Sequence, residues 1–342
     1  MKKTLCALGA IAAICGSTGA LAQSQVTTYG LIDVMVRHTT NAPGIGQNTV
    51  SDGAYTGSRL GFKGTEDLGS GLSALFSIEM GLNPSSGALQ QSTATPGLGQ
   101  VAAPTGRAWG RESLVGLSST TWGTLTLGRQ YTIAHQLSGR FQPQSNPNDS
   151  ALSVFSGHHV ARQDQMAKYS VNVGPVMLVA TRTANEGDGK AWGVGANYQG
   201  NGLDISAYAS DMDIDGVGSD TRKIRGLGAA YQLNTTLKLY GGAMWRTQEA
   251  STQKNKVLTV GTNYQLTDRV GLTASYTDDQ VSGSKAGHRR VALIGANYQF
   301  SKRTDVYAEL DNNKISGTYS VPSFMGTEKS LSGLGVGLRH RF

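Results

Sequence analysis

The sequence predicts an all-β protein, a sixteen-stranded antiparallel β-barrel that crosses a membrane. The first observation is a repeat: Tyr198, Tyr231, Tyr264 and Tyr298 lie 33, 33 and 34 residues apart, each within a near-copy of GVGANYQ. A period in the thirties is also typical of helical solenoids. These copies instead alternate apolar residues with small or polar ones, as a strand with one apolar face does. Each repeat therefore holds two strands of about ten residues, a length that suits a tilted membrane crossing.

The second observation is the number and spacing of such strands. Sixteen candidates alternate in this way, an even number that returns both ends of the barrel to the same side. They are predicted at 26–38, 57–66, 72–82, 110–118, 123–131, 164–174, 176–184, 190–199, 203–211, 222–233, 237–248, 255–266, 270–279, 288–300, 304–314 and 329–342. Short turns such as Gly200-Asn201-Gly202 alternate with longer polar loops. That asymmetry is typical of outer-membrane barrels, which have short periplasmic turns and long external loops.

The third observation is the position of the aromatic residues. Trp192 and Tyr198 share a strand face six residues apart, which is roughly 20 Å at ~3.3 Å per residue. That distance nearly spans the apolar band of a membrane barrel and places one aromatic ring near each interface. The tyrosine of each repeat is therefore predicted to form a periplasmic girdle. A soluble β-sandwich is the alternative, but it needs neither sixteen regular strands nor a girdle in phase with every second turn.

The start of the chain predicts export. Residues 1–22 combine a basic start, a short apolar stretch and a small-residue cleavage site, as a secretory signal peptide does. Both cysteines, Cys6 and Cys15, lie within this segment. A lipoprotein site at Cys15 is the alternative, which the bulky residue before it disfavours. Cleavage after Ala22 leaves 342 − 22 = 320 residues without a cysteine, so their stability must come from backbone pairing and packing.

Composition narrows the class of protein further. Hydrophobic residues make up 38% of the chain, the mean hydropathy is −0.25, and no long apolar run follows residue 22. A helical membrane protein is thereby excluded, whereas a β-barrel is not, because only alternate residues face the hydrocarbon. The formal net charge of +7 falls to +5 when Lys2 and Lys3 are removed with the signal. An exported barrel has no nucleic acid as partner, so a pore that prefers anions explains the charge better.

Three segments give a specific resemblance. SRLGFKGTEDLGSGLSALFSIE (58–79), GLSSTTWGTLTLGRQY (116–131) and the final GLRHRF resemble the general porins of Gram-negative outer membranes, above all the β-proteobacterial and neisserial branch. The resemblance covers 23–342. It implies a homotrimer of sixteen-stranded barrels in the outer membrane, in contact with its lipid and lipopolysaccharide. Each barrel would hold a water-filled pore for small hydrophilic solutes and ions, with no cofactor.

The resemblance also implies roles for two long loops. The segment 132–163, too long for an ordinary hairpin, takes the place of the loop that folds inward and constricts the pore. It lacks the acidic PEF-type cluster of many general porins, and Asp149 and Asp164 are its nearby acids, expected at the constriction. The segment 83–109 resembles the latching loop that reaches into a neighbouring barrel.

Basic residues on the strands are the candidates for the opposite side of the constriction. Arg59, Arg111 and Arg162 match the basic positions of the porin constriction. A charged side chain on the lipid face costs about 2–4 kcal/mol near the midplane, so these side chains are expected to face the lumen. Lys63, on the parity of Arg59, and Lys168 are predicted to line the lumen elsewhere.

Arg129 is predicted to have a different orientation. It shares the strand face of Leu125 and Leu127, which should point outward. An outward arginine fits a subunit interface better than lipid, so Arg129 is expected to lie at the interface of the trimer.

Other functions compete with a diffusion pore. A barrel enzyme needs a nucleophile or water activated by a histidine that a carboxylate holds, and no such motif is recognisable. An adhesion barrel would need a plug or a large external domain. The adjacent His158 and His159 suggest a metal site, but neighbouring loop histidines rarely converge, and none is expected. A substrate-specific channel, which a ladder of aromatics would mark, stays as the alternative to a general, anion-preferring pore.

Overall fold

A computed structural model of the protein describes residues 25–41, 44–92, 97–103, 106–184, 189–214 and 219–342. The predicted signal peptide, at 1–22, lies outside the described residues. No helix in the described ranges is long and apolar enough to cross a membrane.

Eighteen strand segments of the described residues form one antiparallel sheet, which closes on itself because β1 pairs with β18. In chain order they are β1 (Gln25–Asn41), β2 (Gly46–Asp52), β3 (Arg59–Gly69), β4 (Leu72–Leu82), β5 (Leu89–Gln90), β6 (Glu112–Ser119), β7 (Gly123–Tyr131), β8 (Arg162–Val173), β9 (Val176–Thr183), β10 (Ala191–Gly200), β11 (Leu203–Asp213), β12 (Thr221–Gln232), β13 (Leu237–Gln248), β14 (Lys254–Gln265), β15 (Val270–Ser282), β16 (Gly287–Gln299), β17 (Thr304–Gly317) and β18 (Ser330–Arg341).

These segments make a barrel of sixteen strands, which confirms the predicted fold class. Strands β2 and β3 are two halves of one barrel strand, because β2 pairs with one half of β1 and β3 with the other. The segment 53–58 between the two halves turns into the lumen, where Tyr55 packs on the Tyr307 ring at 4.7 Å. The two-residue β5 only pairs with the last residues of β4 and adds no barrel strand. The sequence prediction missed β2, because the polar run 46–52 has no apolar face.

The outer surface carries the predicted alternation. On β14, Leu258 and Val260 are exposed, whereas Val257 on the opposite parity is fully buried. The repeated tyrosines lie on the outer face beside the short turns, and Tyr231, Tyr264 and Tyr298 are each 37–40% exposed. The turns owe their tightness to left-handed residues, as in Asn201 and Gly202, with φ of 50° and 78°.

The buried core lies inside the barrel, between the strands and the segment 132–161. This segment, hereafter the inner loop, begins with helix α1 (Ile133–Ser138), whose first turn is capped by the Thr132 hydroxyl, which accepts from the His135 amide at 3.2 Å. Two 3-10 turns follow, Gly139–Phe141 and Phe155–Gly157. Apolar side chains of the inner loop pack on the inner faces of β9 to β14 and β16: Ile133, Ala134, Leu137, Phe141, Val154 and Phe155 meet Val179, Ala191, Tyr208, Met212, Ile224, Met244, Val257 and Val291.

Glycines of the repeats make room for the inner loop. A side chain at Gly228 or Gly242 would overlap the ring of Phe141, and one at Gly195 would meet Leu137. The small-residue parity of the repeated pattern is therefore the face on which the inner loop packs.

Candidate pore constriction

Beside the inner loop the lumen narrows to a cavity of about 970 Å³. Strands of the barrel form one side of this cavity, and residues 139–148 of the inner loop form the other. Its lining includes six basic side chains, Arg59, Arg111, Arg140, Arg162, Lys238 and Arg339, and a single carboxylate, Asp204. The lining therefore carries a large excess of positive charge.

Two of the predicted arginines converge on one tyrosine, and the third lies beside them. The phenol oxygen of Tyr131 accepts from Nη2 of Arg111 at 2.8 Å and from Nη2 of Arg162. The guanidinium of Arg162 also lies over the Tyr131 ring, 4.1 Å from its centroid, in a cation–π contact. Arg59 donates from Nε to the carbonyl of Gly57 at 2.9 Å. A neutral ring and carbonyl groups thus position much of this positive charge without cancelling it.

One carboxylate is shared by this group. Glu79 accepts from Nε of Arg111 at 2.5 Å, and its Oε1 lies 3.8 Å from Nη1 of Arg59. Its other oxygen accepts from the Tyr29 hydroxyl at 2.9 Å. Two guanidinium groups therefore share one buried carboxylate, and Arg162 makes no salt bridge with a described residue, which leaves a net positive charge near the cavity.

Arg111 reaches the lumen although strict alternation would turn it outward. Regular strand β6 begins only at Glu112, and the Arg111 amide donates to the carbonyl of Glu79. Glu112 itself faces inward, where it accepts from the Ser77 hydroxyl at 2.9 Å. Two consecutive inward side chains are possible because the first precedes the pleated strand.

Two histidines of the inner loop support the Tyr131 side of the cavity. The His135 ring stacks on Tyr131 at 5.0 Å, and its Nδ1 lies 3.3 Å from Nε2 of His159. Burial lowers the pKa of His135 well below 6.5, and His159 and Arg162 lower it further. Burial also lowers the pKa of His159 to about 3, with a contribution from His158. Both rings are therefore neutral at neutral pH.

Comparison with known proteins identifies the family. A family model described as Gram-negative porin matches residues 7–318. This chain belongs to that family. The predicted family is thereby confirmed, and the barrel lies in the outer membrane.

The porin has relatives among characterised proteins. An outer membrane porin protein of Bordetella pertussis is 35% identical over 166 residues, which cover 42% of this chain and 37% of the relative. The major outer membrane protein P.IB of Neisseria meningitidis serogroup A is 26% identical over 263 residues, which cover 73% of this chain and 71% of the relative. The chain thus spans little more than a third of the Bordetella protein that it matches.

Solved structures share the fold of the porin. The anion-selective porin from Comamonas acidovorans has a TM-score of 0.74 at 20% identity, covering 94% of this chain and 100% of that one. The trimer form of OmpT, an outer membrane protein of Vibrio cholerae, has a TM-score of 0.67 at 15% identity, covering 93% of this chain and 99% of that one. At these identities the likeness establishes the fold alone.

Asp149 of the porin does not lie at the constriction, so that prediction is wrong. Its amide donates to the carbonyl of Ala54, and this contact turns the side chain toward the barrel wall. There its Oδ2 lies 3.7 Å from Nη1 of Arg37, which also binds Glu309 at 3.0 Å and Asp311 at 2.6 Å. Asp149 therefore anchors the inner loop to β1 and β17.

The predictions for Asp164 and Arg129 are also wrong, because the two side chains bind each other. Nη1 of Arg129 lies 2.7 Å from Oδ1 of Asp164, and Nε of Arg129 donates to the Gly110 carbonyl at 2.8 Å. Arg107 binds the same carboxylate at 2.8 Å. Arg129 is only 9% exposed and does not project from the barrel, and neither residue lines the cavity.

Backbone irregularities explain these two errors. The pairing of β7 with β8 shifts by one residue between Gly128 and Gln130, so alternation counted from Leu125 fails at Arg129. Gly128 and Gln165 both have a positive φ, 127° and 48°. A bulge of this kind redirects the side chains beside it, and the alternation pattern contains no signal for it.

The described parts of 83–109 contact their own barrel. The Leu98 amide donates to the carbonyl of Asp213 at 2.6 Å, and the Gly99 carbonyl accepts from the Asp164 amide at 2.8 Å. The Val101 amide donates to the Asp164 carboxylate at 2.8 Å. A latch onto a neighbouring barrel stays a prediction.

The two predicted lumen lysines lie outside the cavity. Lys168 donates to the carbonyl of Tyr131 and to Oε1 of Gln136, the latter at 3.2 Å, and so holds the start of the inner loop. Lys63 is exposed nearer the short-turn end, with Nζ 5.1 Å from the centroid of Tyr29.

Several cavity residues were not predicted as site residues. Arg339 binds Asp305 at 2.9 Å and the Thr56 hydroxyl at 3.0 Å, and its place on the inner parity of β18 was the available signal. Arg140 of the inner loop binds Asp204 at 2.9 Å. Alternation along β13 likewise turns Lys238 inward.

His158 and His159 turn to different partners. Nε2 of His158 lies 2.7 Å from Asp279, whereas His159 faces His135. The part of the porin that the structure describes holds no group of three or more His, Cys, Asp or Glu side chains that could bind a metal.

Proposed function

We propose that this porin forms a water-filled channel for the passive diffusion of small hydrophilic solutes and ions, and that the channel prefers anions. The observation that carries the proposal is the lining of the lumen cavity, with six basic side chains and one carboxylate. That carboxylate, Asp204, is already bound to Arg140 at 2.9 Å. Glu79 and Asp305 offset part of the remaining charge, on Arg111 and Arg339, so a passing anion meets a positive field that is only partly compensated.

The size of this field suits permeation. Two unit charges 4 Å apart attract by about 1 kcal/mol in bulk water and by about 4 kcal/mol at an effective dielectric constant of 20. An attraction in this range biases which ions enter yet leaves them free to exit, as conduction requires. The cavity lining includes Tyr55, Tyr131 and Tyr240 but no continuous aromatic ladder, which favours a general pore over a substrate-specific one.

The proposal includes assembly as a homotrimer after removal of 1–22, and a role as a channel without enzymatic activity. The outer faces of β6 and β7 support a subunit contact, because Val115, Leu117, Leu125 and Leu127 are 44–58% exposed and entirely apolar. The Vibrio neighbour, whose structure is titled a trimer form, has the same fold.

Recording from purified protein in planar bilayers tests the channel. We expect conductance steps in groups of three and, under a KCl gradient, a reversal potential of the sign that chloride preference gives. Swelling rates of liposomes should rise linearly with the concentration of small neutral sugars. Absence of conductance would contradict the channel, cation preference would contradict the selectivity, and saturating solute flux would favour a substrate-specific channel.

A further inference from the structure

A second and smaller cavity, of about 160 Å³, adjoins the inner loop and shares no lining residue with the constriction cavity. The inner loop separates the two cavities. Its Ser153 and Ser156 line the constriction, whereas Val154 and Gly157 line the smaller cavity. Side chains of β13 to β16 and residues of the segment 319–322 complete the wall. We call this space the side cavity.

Three cations line the side cavity, Arg246, Lys285 and Arg289, and none of them makes a salt bridge with a described residue. Arg246 of β13 donates from Nη2 to Oε1 of Gln248 at 2.9 Å, and its other nitrogens have no acceptor among the described residues. Lys285, in the connection between β15 and β16, is exposed and makes no hydrogen bond with a described residue. No carboxylate of the described residues belongs to the lining. Such a wall attracts anions.

Arg289 attaches the inner loop to the barrel wall without losing its charge. It lies directly opposite Asp279 on β15 and β16, yet the two make no salt bridge. Its Nη2 instead donates to the carbonyls of Ser150 and Ala151, at 2.9 and 3.0 Å, and its Nε donates to Asn313 at 3.1 Å. All these acceptors are neutral, so the positive charge of Arg289 persists beside the side cavity.

Asp279, the acid next to the side cavity, is already bound by three other groups. Its oxygens lie 2.7 Å from Nε2 of His158, 2.6 Å from the Tyr319 hydroxyl and 2.8 Å from Nδ2 of Asn255. His158 lines the cavity and is only 5% exposed, and its Nδ1 is buried with no hydrogen-bond partner among the described residues. Asp279 therefore offsets part of the positive charge and orients a ring whose second nitrogen can bind a ligand.

We propose that the side cavity binds one small oxyanion of the phosphate or sulfate class through Arg246, Lys285 and His158. Hydrogen bonds from a guanidinium or ammonium group to an oxyanion are shorter and stronger than those between neutral groups. At ~30 Å³ per water molecule of liquid, the cavity has room for roughly five waters. That space suits a tetrahedral oxyanion with part of its water shell, and it is too small for a sugar phosphate.

The bound oxyanion would brace the inner loop. His158 belongs to the inner loop, Arg246 to the barrel wall and Lys285 to an external connection, so one ion would link three separate parts of the chain. A ligand that binds only the folded state stabilises it. The site is independent of the proposed channel selectivity, because binding is measured on folded protein in detergent, without ion flow.

The test is calorimetric titration of the folded, detergent-purified porin with sulfate and with phosphate, at constant ionic strength in KCl. We expect one site per chain. Arg246→Gln with Lys285→Gln should lower the affinity by about tenfold or more, since two charge-assisted hydrogen bonds are lost. Arg290→Gln with Lys314→Gln is the matched control, which removes the same charge from a pair facing each other across β16 and β17 outside the side cavity. This control should bind as wild type does.

A crystal of the wild-type porin soaked in selenate locates the ion by its anomalous scattering. We expect a peak between Arg246 and His158, and a peak in the constriction cavity alone would overturn the proposal. Sulfate should also raise the unfolding temperature of wild type more than that of the Arg246–Lys285 double variant. Comparing the two proteins cancels the general stabilisation that sulfate gives through exclusion from protein surfaces.

Other outcomes would also overturn the side-cavity site. Equal affinity of wild type and the Arg246–Lys285 double variant, or an equal loss in the control, would mean that the positive chain attracts anions diffusely. Binding of glucose 6-phosphate as tightly as phosphate would contradict the size of the site. Arg59→Ser with Arg162→Ser, which alters the constriction, should keep full sulfate binding. Failure of the side-cavity site is therefore distinct from failure of the channel.

Discussion

Two charged clusters on the inner wall of this porin contain arginine, and they differ in what surrounds it. In the arginine–tyrosine cluster, Arg59, Arg111 and Arg162 gather around Tyr131, and one carboxylate, Glu79, is shared by Arg59 and Arg111. In the carboxylate cluster, Arg37 is surrounded by Asp149, Glu309 and Asp311. The first lines the cavity, whereas Arg37 and its acids are absent from that lining.

The comparison shows that partners, and not the number of arginines, decide what an arginine does here. A buried guanidinium among carboxylates fixes the inner loop to the wall and contributes no net positive charge. A guanidinium held by a phenol or a backbone carbonyl keeps its full charge toward the pore. We therefore expect the carboxylate cluster to govern stability and the arginine–tyrosine cluster to govern selectivity.

The largest expected effect is that of Arg37→Ala. Glu309 and Asp311 have fully buried side chains, and removal of Arg37 leaves them without their cation. Breaking a buried ion pair in this way costs on the order of 3–5 kcal/mol. The matched comparison is Arg162→Ala, which breaks no salt bridge with a described residue and should cost about 1 kcal/mol. Urea-induced unfolding of both variants measures the difference, and equal losses would contradict the division of roles.

The next largest expected effect is a loss of folding stability at acid pH, caused by His159 beside the arginine–tyrosine cluster. The pKa of His159 is lowered from 6.5 to about 3, so the folded state binds its proton less readily than the unfolded state. Above pH 6.5 the His159 ring is neutral in both states, and the full stability is present. As the pH falls from 6.5 toward 3, the unfolded state gains a proton that the folded state does not, so the free energy of unfolding decreases. The loss is about 1.4 kcal/mol per pH unit.

His159→Gln is the control for this pH dependence, because glutamine keeps polar groups but does not titrate in this range. Its free energy of unfolding should fall less steeply than that of wild type as the pH drops below the ordinary histidine pKa. Parallel curves for the two proteins would show that His159 does not carry the effect.

Tyr131→Phe should have the smallest effect on stability. The change removes the oxygen that accepts from Arg111 and Arg162 but keeps the ring beneath the Arg162 guanidinium. Water in the lumen can replace the lost acceptor, so we expect a loss on the order of 1 kcal/mol. Ion selectivity should stay anionic, since no charge is removed. A large shift of the reversal potential in this variant would mean that the phenol itself binds the ion.

The barrel fold could be predicted from the sequence because strand alternation and turn residues are local patterns. Strands β4, β7 and β13 were predicted with the bounds that the structure has, at 72–82, 123–131 and 237–248. Arg59 could be oriented from Leu60 and its neighbours, because β3 is regular there. Local pattern also carried the information that Arg339 faces inward.

Other features depend on contacts between distant segments and left no local signal. The acids Asp149 and Asp164 could be placed near the constriction by sequence position, but their partners, Arg37 and Arg129, come from strands far along the chain. The bulge at Gly128 reversed the expected orientation of Arg129. Strand β2 was missed because its polar residues pair with β1 through the backbone, without an apolar face.

The reversal potential under a KCl gradient tests the central claim most directly. Arg59→Ser with Arg162→Ser removes two charges from the arginine–tyrosine cluster: Arg162 makes no salt bridge with a described residue, and Arg59 lies 3.8 Å from Glu79, which Arg111 binds at 2.5 Å. Wild type should be anion-selective, and the double variant should shift toward zero or cation preference. Glu79→Gln should shift the potential the opposite way. The control is Arg225→Ser, because Arg225 of β12 is bound to Asp211 at 2.6 Å and does not line the cavity, so the potential should be unchanged. A cation-selective wild type, or a double variant that matches wild type, would contradict this account of the pore.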